Sequence, residues 1–152
     1  MRRRFTALED SRQFVTPDTA YRAALTSLRG ANNTTMELDQ LREEVCRTNR
    51  LLLGAGLVTM HSGNASGLHR PSGRVLIKPS GVDYAQLRPE DLVEVDLQTG
   101  QVVQGKLRPS VDLPHHLFLY RNMADIGAVV HTHSNYATAF AAVGRPIPLC
   151  LT

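Results

Sequence analysis

The chain has 152 residues, 42% of them hydrophobic and 20% charged, which suits one globular domain with a real core and is too short for two comfortable ones. No apolar run approaches the roughly 18 residues that a bilayer crossing needs, and residues 1 to 35 lack the apolar core of a secretory signal, so a cytoplasmic protein without a membrane partner is expected. The net charge of +3 sits in the leader, where residues 1–35 carry six Arg against three acids while residues 36–152 balance eleven basic against eleven acidic groups; without a basic stripe or interleaved aromatics, nucleic-acid binding is not expected.

Residues 1–35 show weak periodicity and end in the polar patch Gly30-Ala31-Asn32-Asn33-Thr34-Thr35. They read as a flexible N-terminal extension ahead of a domain that begins at Met36. From there Leu38, Leu41, Val45 and Leu52 fall close to one helical face. Glu37 and Asp39 crowd the first turn, and Gly54 and Gly56 punctuate the end, which predicts a helix over 36–53. The stretch "LVTMHSGNASGLHR" is a run of small residues around a Gly-Asn. Arg74 to Lys78 reads as a short strand broken by Pro79-Ser80-Gly81, and Pro89-Glu90-Asp91 starts a turn. Leu92 to Leu97 alternates apolar and polar as a half-buried strand does. Gln98 to Gln101 forms a hairpin turn into Val102-Val103. Asp112 to Arg121 reads as a helix and Gly127 to Thr132 as a buried strand. Ser134 is a good N-cap for a helix to about Val143, closed by Gly144 and Pro146. This order predicts an α/β domain with a mainly antiparallel sheet. Cys46 and Cys150 are isolated, form no CxxC, and are expected to be reduced thiols.

His131 and His133 stand at the end of the apolar run Gly127-Ala128-Val129-Val130. Side chains at i and i+2 of a strand share a face, their Cα atoms about 6.5 Å apart. Two such imidazoles can converge on one divalent metal; the alternative is a pair of ordinary polar histidines. Asp112, in "RPSVDLPHHLFLY", could supply a carboxylate to the same cation or simply cap its helix. His116 lies one turn on and could support Asp112 from behind. The pieces "SGNAS" and "KPSGVDY" pair glycines with short polar side chains, and Lys78 adds a positive charge. With Ser110 they make a plausible phosphate cradle, although Pro-Ser-Gly is first of all a turn.

Taken in order from Met36 to Pro148, the helix into "GLVT", then "SGNAS", "VLIKPSGVDY", "DLVEVDLQTGQVVQG", "RPSVDLPHHLFLY" and "IGAVVHTHSNYATAFAAVGRPIP" resemble the class II aldolase/adducin family, and within it the L-ribulose-5-phosphate 4-epimerases most. The resemblance implies a three-layer α/β/α fold with a mainly antiparallel central sheet. It implies a zinc ion, or another divalent metal, bound by His131 and His133 and approached by Asp112. It implies that Gly63, Asn64, Lys78, Ser80, Gly81 and Ser110 line the phosphate and polyol of a phosphorylated ketose. Related aldolases usually carry Glu where this chain has Asp112, so Asp favours the epimerase, which cleaves a C–C bond by retro-aldol chemistry and rejoins it.

The resemblance also marks departures. Val111 stands where the epimerases have a second serine. A family domain runs to about 200 residues or more, so the chain resembles only its N-terminal portion. The third metal-binding histidine, an acidic acid/base residue and a late catalytic tyrosine have no counterpart, and no catalytic residue is assigned within the chain. The relatives are typically tetramers. The competing expectations are a class II aldolase for a ketose phosphate and a non-catalytic, adducin-like interaction module.

Overall fold

A computed structural model describes residues 37–148. The predicted N-terminal extension and Cys150 lie outside these residues. The elements are helix α1 (Leu38–Gly54), strand β1 (Asn64–His69), strand β2 (Arg74–Ile77), strand β3 (Val93–Asp96), strand β4 (Val102–Gln104), helix α2 (Leu113–Asn122), strand β5 (Ala128–His131) and helix α3 (Asn135–Ala142), with single turns of 3-10 helix at Arg70–Ser72 and Pro89–Asp91. The strands form one sheet in the order β4-β3-β2-β1-β5, and every neighbouring pair is antiparallel.

Helices cover the two faces of the sheet. On one face α1 buries Leu41, Val45 and Cys46 against Leu76, Leu87 and Leu92. It lies so close to β1 that a Cβ added at Gly67 would fall 2.8 Å from side-chain carbons of both Leu41 and Val45. On the other face α2 sets Leu113, Leu117 and Tyr120 against Leu68, Val75, Ile77, Val93 and Val95. Along β2, Val75 and Ile77 join the core under α2 while Leu76 joins the core under α1, as the two-residue period of a strand requires. The three-layer arrangement with an antiparallel sheet is therefore present.

Helix α1 starts with Glu37 at its N-cap, without a side-chain cap. Helix α3 has the expected Ser134 cap, whose side chain accepts from the backbone of Ala137 at 3.4 Å. The hairpin at Gln98–Gln101 is closed by Asp96, whose Oδ1 accepts from the backbone amides of Gln98 and Thr99.

Three features differ from the sequence reading. First, "NASGLH" is a strand, β1, and its first five residues are buried. Small, partly polar residues carry no hydrophobic alternation, so nothing local announced it; its place between β2 and β5 orders it. Its backbone is completed by Asn49 of α1, whose amide accepts from the Ala65 nitrogen at 2.8 Å and donates to the Ala65 oxygen at 3.0 Å. Second, β5 is a half-buried edge strand rather than a buried one. Its apolar run satisfies one neighbour, β1, and α3 beyond it is largely exposed, Tyr136 at 85%. Third, the polar face of β3 is covered, not solvated. Glu94 is 5% exposed; it accepts from Arg42 of α1 at 2.9 Å and faces Arg74, which also pairs with Asp96 at 2.8 Å.

Candidate active site

The antiparallel register decides where the chemistry gathers. Because β1 runs opposite to both of its neighbours, its first residues meet the last residues of β2 and β5. Asn64 pairs with His131 and Ser66 with Ile77. The start of α2 comes to the same end of the sheet through the bridge between Pro79 and Pro109. The amide of Ser80 donates to the Arg108 oxygen at 2.9 Å and that of Ser110 to the Lys78 oxygen at 3.1 Å, which clamps the two loops together.

A cavity of about 260 Å³ opens at this edge, lined by His61, Ser62, Gly63, Asn64, Lys78, Pro79, Ser80, Gly81, Ser110, Val111, Asp112 and His133. All six residues expected to line the phosphate and polyol are on its wall, together with Asp112 and His133. His61 and Ser62 were not anticipated. Their signal was adjacency to Gly63-Asn64, in a stretch read only as small residues.

Gly63 has φ +82°, and a Cβ there would fall 2.7 Å from the backbone oxygen of His131 and from a methyl of Val58. Only glycine fits both the left-handed conformation and that approach. Tyr84 sits beneath, donating to the carbonyls of Ser62 and Gly63 at 2.8 and 2.6 Å. Burial, and secondarily the charge of Asp112, pushes its phenol up to about 12.

Lys78 is 2% exposed. Its ammonium donates to the Val82 oxygen at 2.5 Å and the Pro79 oxygen at 3.3 Å, and rests 4.6 Å from the centre of the Tyr84 ring. Burial lowers its pKa, and Asp83 partly opposes that. Its charge thus reaches the cavity through the turn it organises.

Asp112 occupies the N-cap position of α2, but its side chain does not cap the helix. Its Oδ2 instead accepts from Asn64 Nδ2 at 2.7 Å and from Ser110 Oγ at 3.2 Å. The helix-cap alternative therefore fails, and the carboxylate is turned toward the cavity wall. Val111, in the place of the absent serine, is 80% exposed on the same wall.

His131 and His133 converge. Their Nε2 atoms are 2.8 Å apart and their rings nearly perpendicular, at 87°. Two neutral nitrogens so close need either a shared proton or a shared cation between their lone pairs. Two imidazoles are suitable donors for a zinc-like ion, so the pair fits such a metal. Among the described residues, no three His, Cys, Asp or Glu side chains come together as a metal-holding group; Asp112 shares the cavity wall with His133 without joining the pair.

His116 is held behind the site, 1% exposed. Burial lowers its pKa to about 4 against the pull of Asp112, with His131 and His115 lowering it further.

Comparison with known proteins places this geometry in a lineage. Residues 43–152 match the family model for class II aldolase and adducin N-terminal domains. Among solved structures, an L-fuculose 1-phosphate aldolase is 29% identical, with 78% of this chain and 55% of that chain covered and a TM-score of 0.68. YgbL from Escherichia coli, described as a putative aldolase/epimerase/decarboxylase, is 37% identical over 68% of this chain and 48% of its own, at a TM-score of 0.61. Its counterpart from Klebsiella pneumoniae is 35% identical over 70% and 50%, at 0.63. The chain spans about half the length of these structures. With the matched family segment, the α/β/α layers and the cavity at the sheet edge, the chain belongs to the class II aldolase and adducin N-terminal domain family.

Proposed function

We propose that this domain takes part in the metal-assisted retro-aldol cleavage of a phosphorylated ketose. The observation that carries this reading is the 2.8 Å approach of the His131 and His133 Nε2 atoms at the rim of a cavity walled by glycine turns and hydroxyls. A zinc or similar divalent ion held by the two histidines supplies Lewis-acid polarisation of substrate oxygens. The chain's own residues do the rest. Ser80 and Ser110 offer hydroxyls to the phosphate, and Gly81, at positive φ with open space where a Cβ would stand, lets an anion approach the backbone closely. Asn64 and Ser110 hold the carboxylate of Asp112 at the cavity wall. Lys78 keeps the 79–82 turn folded and adds positive charge behind it.

The finer reading is a 4-epimerase for a pentulose phosphate such as L-ribulose 5-phosphate, supported by aspartate rather than glutamate at position 112. A second reading, an aldolase releasing the fragment, is supported by the similarity to an L-fuculose 1-phosphate aldolase. A homo-oligomer and a cytoplasmic location go with either. Zinc titration of the full chain, followed by incubation with L-ribulose 5-phosphate and with L-fuculose 1-phosphate, tests these readings. The expected result is one saturable zinc site lost in His131→Ala and His133→Ala. An epimeric pentulose phosphate supports the epimerase, and free aldehyde supports the aldolase. Zinc uptake that both substitutions leave unchanged defeats the metal-assisted reading.

A further inference from the structure

Most polar side chains on the cavity wall are already committed to the protein itself. Asn64 Nδ2 donates to Ser110 Oγ at 2.9 Å and to Asp112 Oδ2 at 2.7 Å, which uses both of its protons. Ser110 Oγ directs its single proton to Asp112 Oδ2 and accepts from the Asp112 amide as well as from Asn64. It therefore meets an anion only by releasing the carboxylate. Ser62 Oγ donates to the Thr59 oxygen at 2.7 Å. The buried Lys78 ammonium is spent on two carbonyls and the Tyr84 ring. His133 is turned to His131. Two polar side chains on the wall remain, His61 and Ser80. Both residues are exposed, and neither side chain has a hydrogen-bond partner among the described residues.

Charge singles out the histidine. Asp112 puts a carboxylate on the same wall, so a phosphate brought beside it needs a positive or donating counterpart. Lys78 turns toward a ligand only by leaving the carbonyls that fold its own turn. The imidazole of His61 carries a ring N–H in either neutral tautomer and two when charged, and it gives up no bond to use them.

The backbone presents this side chain. Thr59 to Ser62 is a turn closed by the Ser62 amide on the Thr59 oxygen at 3.1 Å. Met60, inside the turn, has φ +54° and is the one non-glycine residue with a left-handed backbone among the described residues. It is 83% exposed, so burial of the methionine does not account for that conformation. Left-handed backbone is uncommon outside glycine and gathers at functional sites. Just past the turn, Tyr84 fastens the carbonyls of Ser62 and Gly63, so His61 stands on a fixed base.

We propose that His61, together with Ser80, holds the phosphate of the substrate and sets the preference for a phosphorylated over an unphosphorylated ketose. This deepens the retro-aldol reading above and rests on it.

Two measurements on the full chain test the proposal. Proton–nitrogen NMR correlation on histidine-labelled, metal-free protein follows the His61 ring during titration with inorganic phosphate; its signals are expected to shift saturably. Calorimetry then compares wild type, His61→Ala and His61→Gln with L-ribulose 5-phosphate and L-fuculose 1-phosphate, the fold of each variant being checked by circular dichroism. His61→Ala is expected to bind the phosphosugar that wild type takes about 10–100-fold more weakly, as loss of a hydrogen bond to a charged group predicts. His61→Gln, which keeps a neutral donor, is expected to recover part of that, and L-fuculose without its phosphate is expected not to distinguish His61→Ala from wild type. Equal phosphosugar affinity in His61→Ala and wild type, or His61 signals that phosphate leaves in place, overturns the inference while the retro-aldol reading stands. A wild-type chain that binds neither phosphosugar defeats that reading and the role of His61 with it.

Discussion

Asn64 and Asp112 are joined by a 2.7 Å hydrogen bond from the Asn64 amide nitrogen to the Asp112 carboxylate. The bond links the first residue of β1 to the residue that opens α2, across 48 positions of sequence. It holds the carboxylate in the cavity and fixes the Asn64 amide, whose nitrogen also donates to Ser110 at 2.9 Å.

Replacing that donor with an acceptor reverses the interaction. Asn64→Asp sets two carboxylates against each other in a half-buried site, where like charges cannot both ionise cheaply. The expected loss is about 1–3 kcal/mol at neutral pH. Much of it should return at mildly acidic pH as one carboxyl takes a proton. Urea unfolding at the two pH values measures both; a loss that ignores pH argues against the direct contact.

Glu94 tests the coupling of α1 to the sheet. Its carboxylate is 6% exposed and faces the 12% exposed Arg42. Removing one member of such a pair strands the other charge, so Glu94→Ala should cost about 3–5 kcal/mol. The double replacement Arg42→Met with Glu94→Met should recover most of this, because an apolar pair of similar volume needs no charge compensation. Chemical denaturation of wild type and these two variants measures the loss and its recovery.

His116 predicts an acid limit to stability. Its folded pKa is about 4 against an ordinary 6.5, so the unfolded chain binds more protons between those values. Stability is then fully present above about pH 6.5 and falls as pH drops toward 4, with the whole contribution lost below the folded pKa. A shift of this size corresponds to about 3 kcal/mol at most. Thermal melts from pH 7 to pH 4 should show the decline, and His116→Asn should flatten it.

Gly63 predicts a coupled loss of stability and metal affinity. An alanine there meets both a positive φ and the backbone oxygen of His131 at 2.7 Å. The left-handed backbone alone costs about 1–2 kcal/mol, and the clash must move the end of β5. Gly63→Ala should therefore melt lower and bind zinc more weakly than wild type, whereas Gly81→Ala, which meets nothing within 4 Å, should lower the melting temperature through its backbone strain alone.

Periodic elements were legible because their signals are local. The spacing of Leu41, Val45 and Leu52 fixed α1, alternation fixed β3, and a serine cap fixed the start of α3, each within a few residues of the observed bounds. Gly63, Asn64, Lys78, Ser80, Gly81 and Ser110 on the cavity wall were expected from the family resemblance that their glycine turns and short polar side chains help carry, whereas His61 and Ser62 were not. What local pattern could not give was β1, which is buried by its neighbours despite carrying few apolar residues, or the covering of Glu94 by an arginine 52 positions away. Whether the apolar run of β5 lies in the middle or at the edge of a sheet depends on which strands flank it, and no property of the run itself encodes that.

The sequence by itself determined the residue types for chemistry at one end of a sheet, because helix, strand and turn preferences act over a few bonds. Only the tertiary structure decided that Asp112 leaves its helix cap for Asn64, that Lys78 is bound to its own turn, and that His116 is sealed behind the site. Those outcomes depend on which buried polar groups find partners, and partners distant in sequence are brought together only by packing.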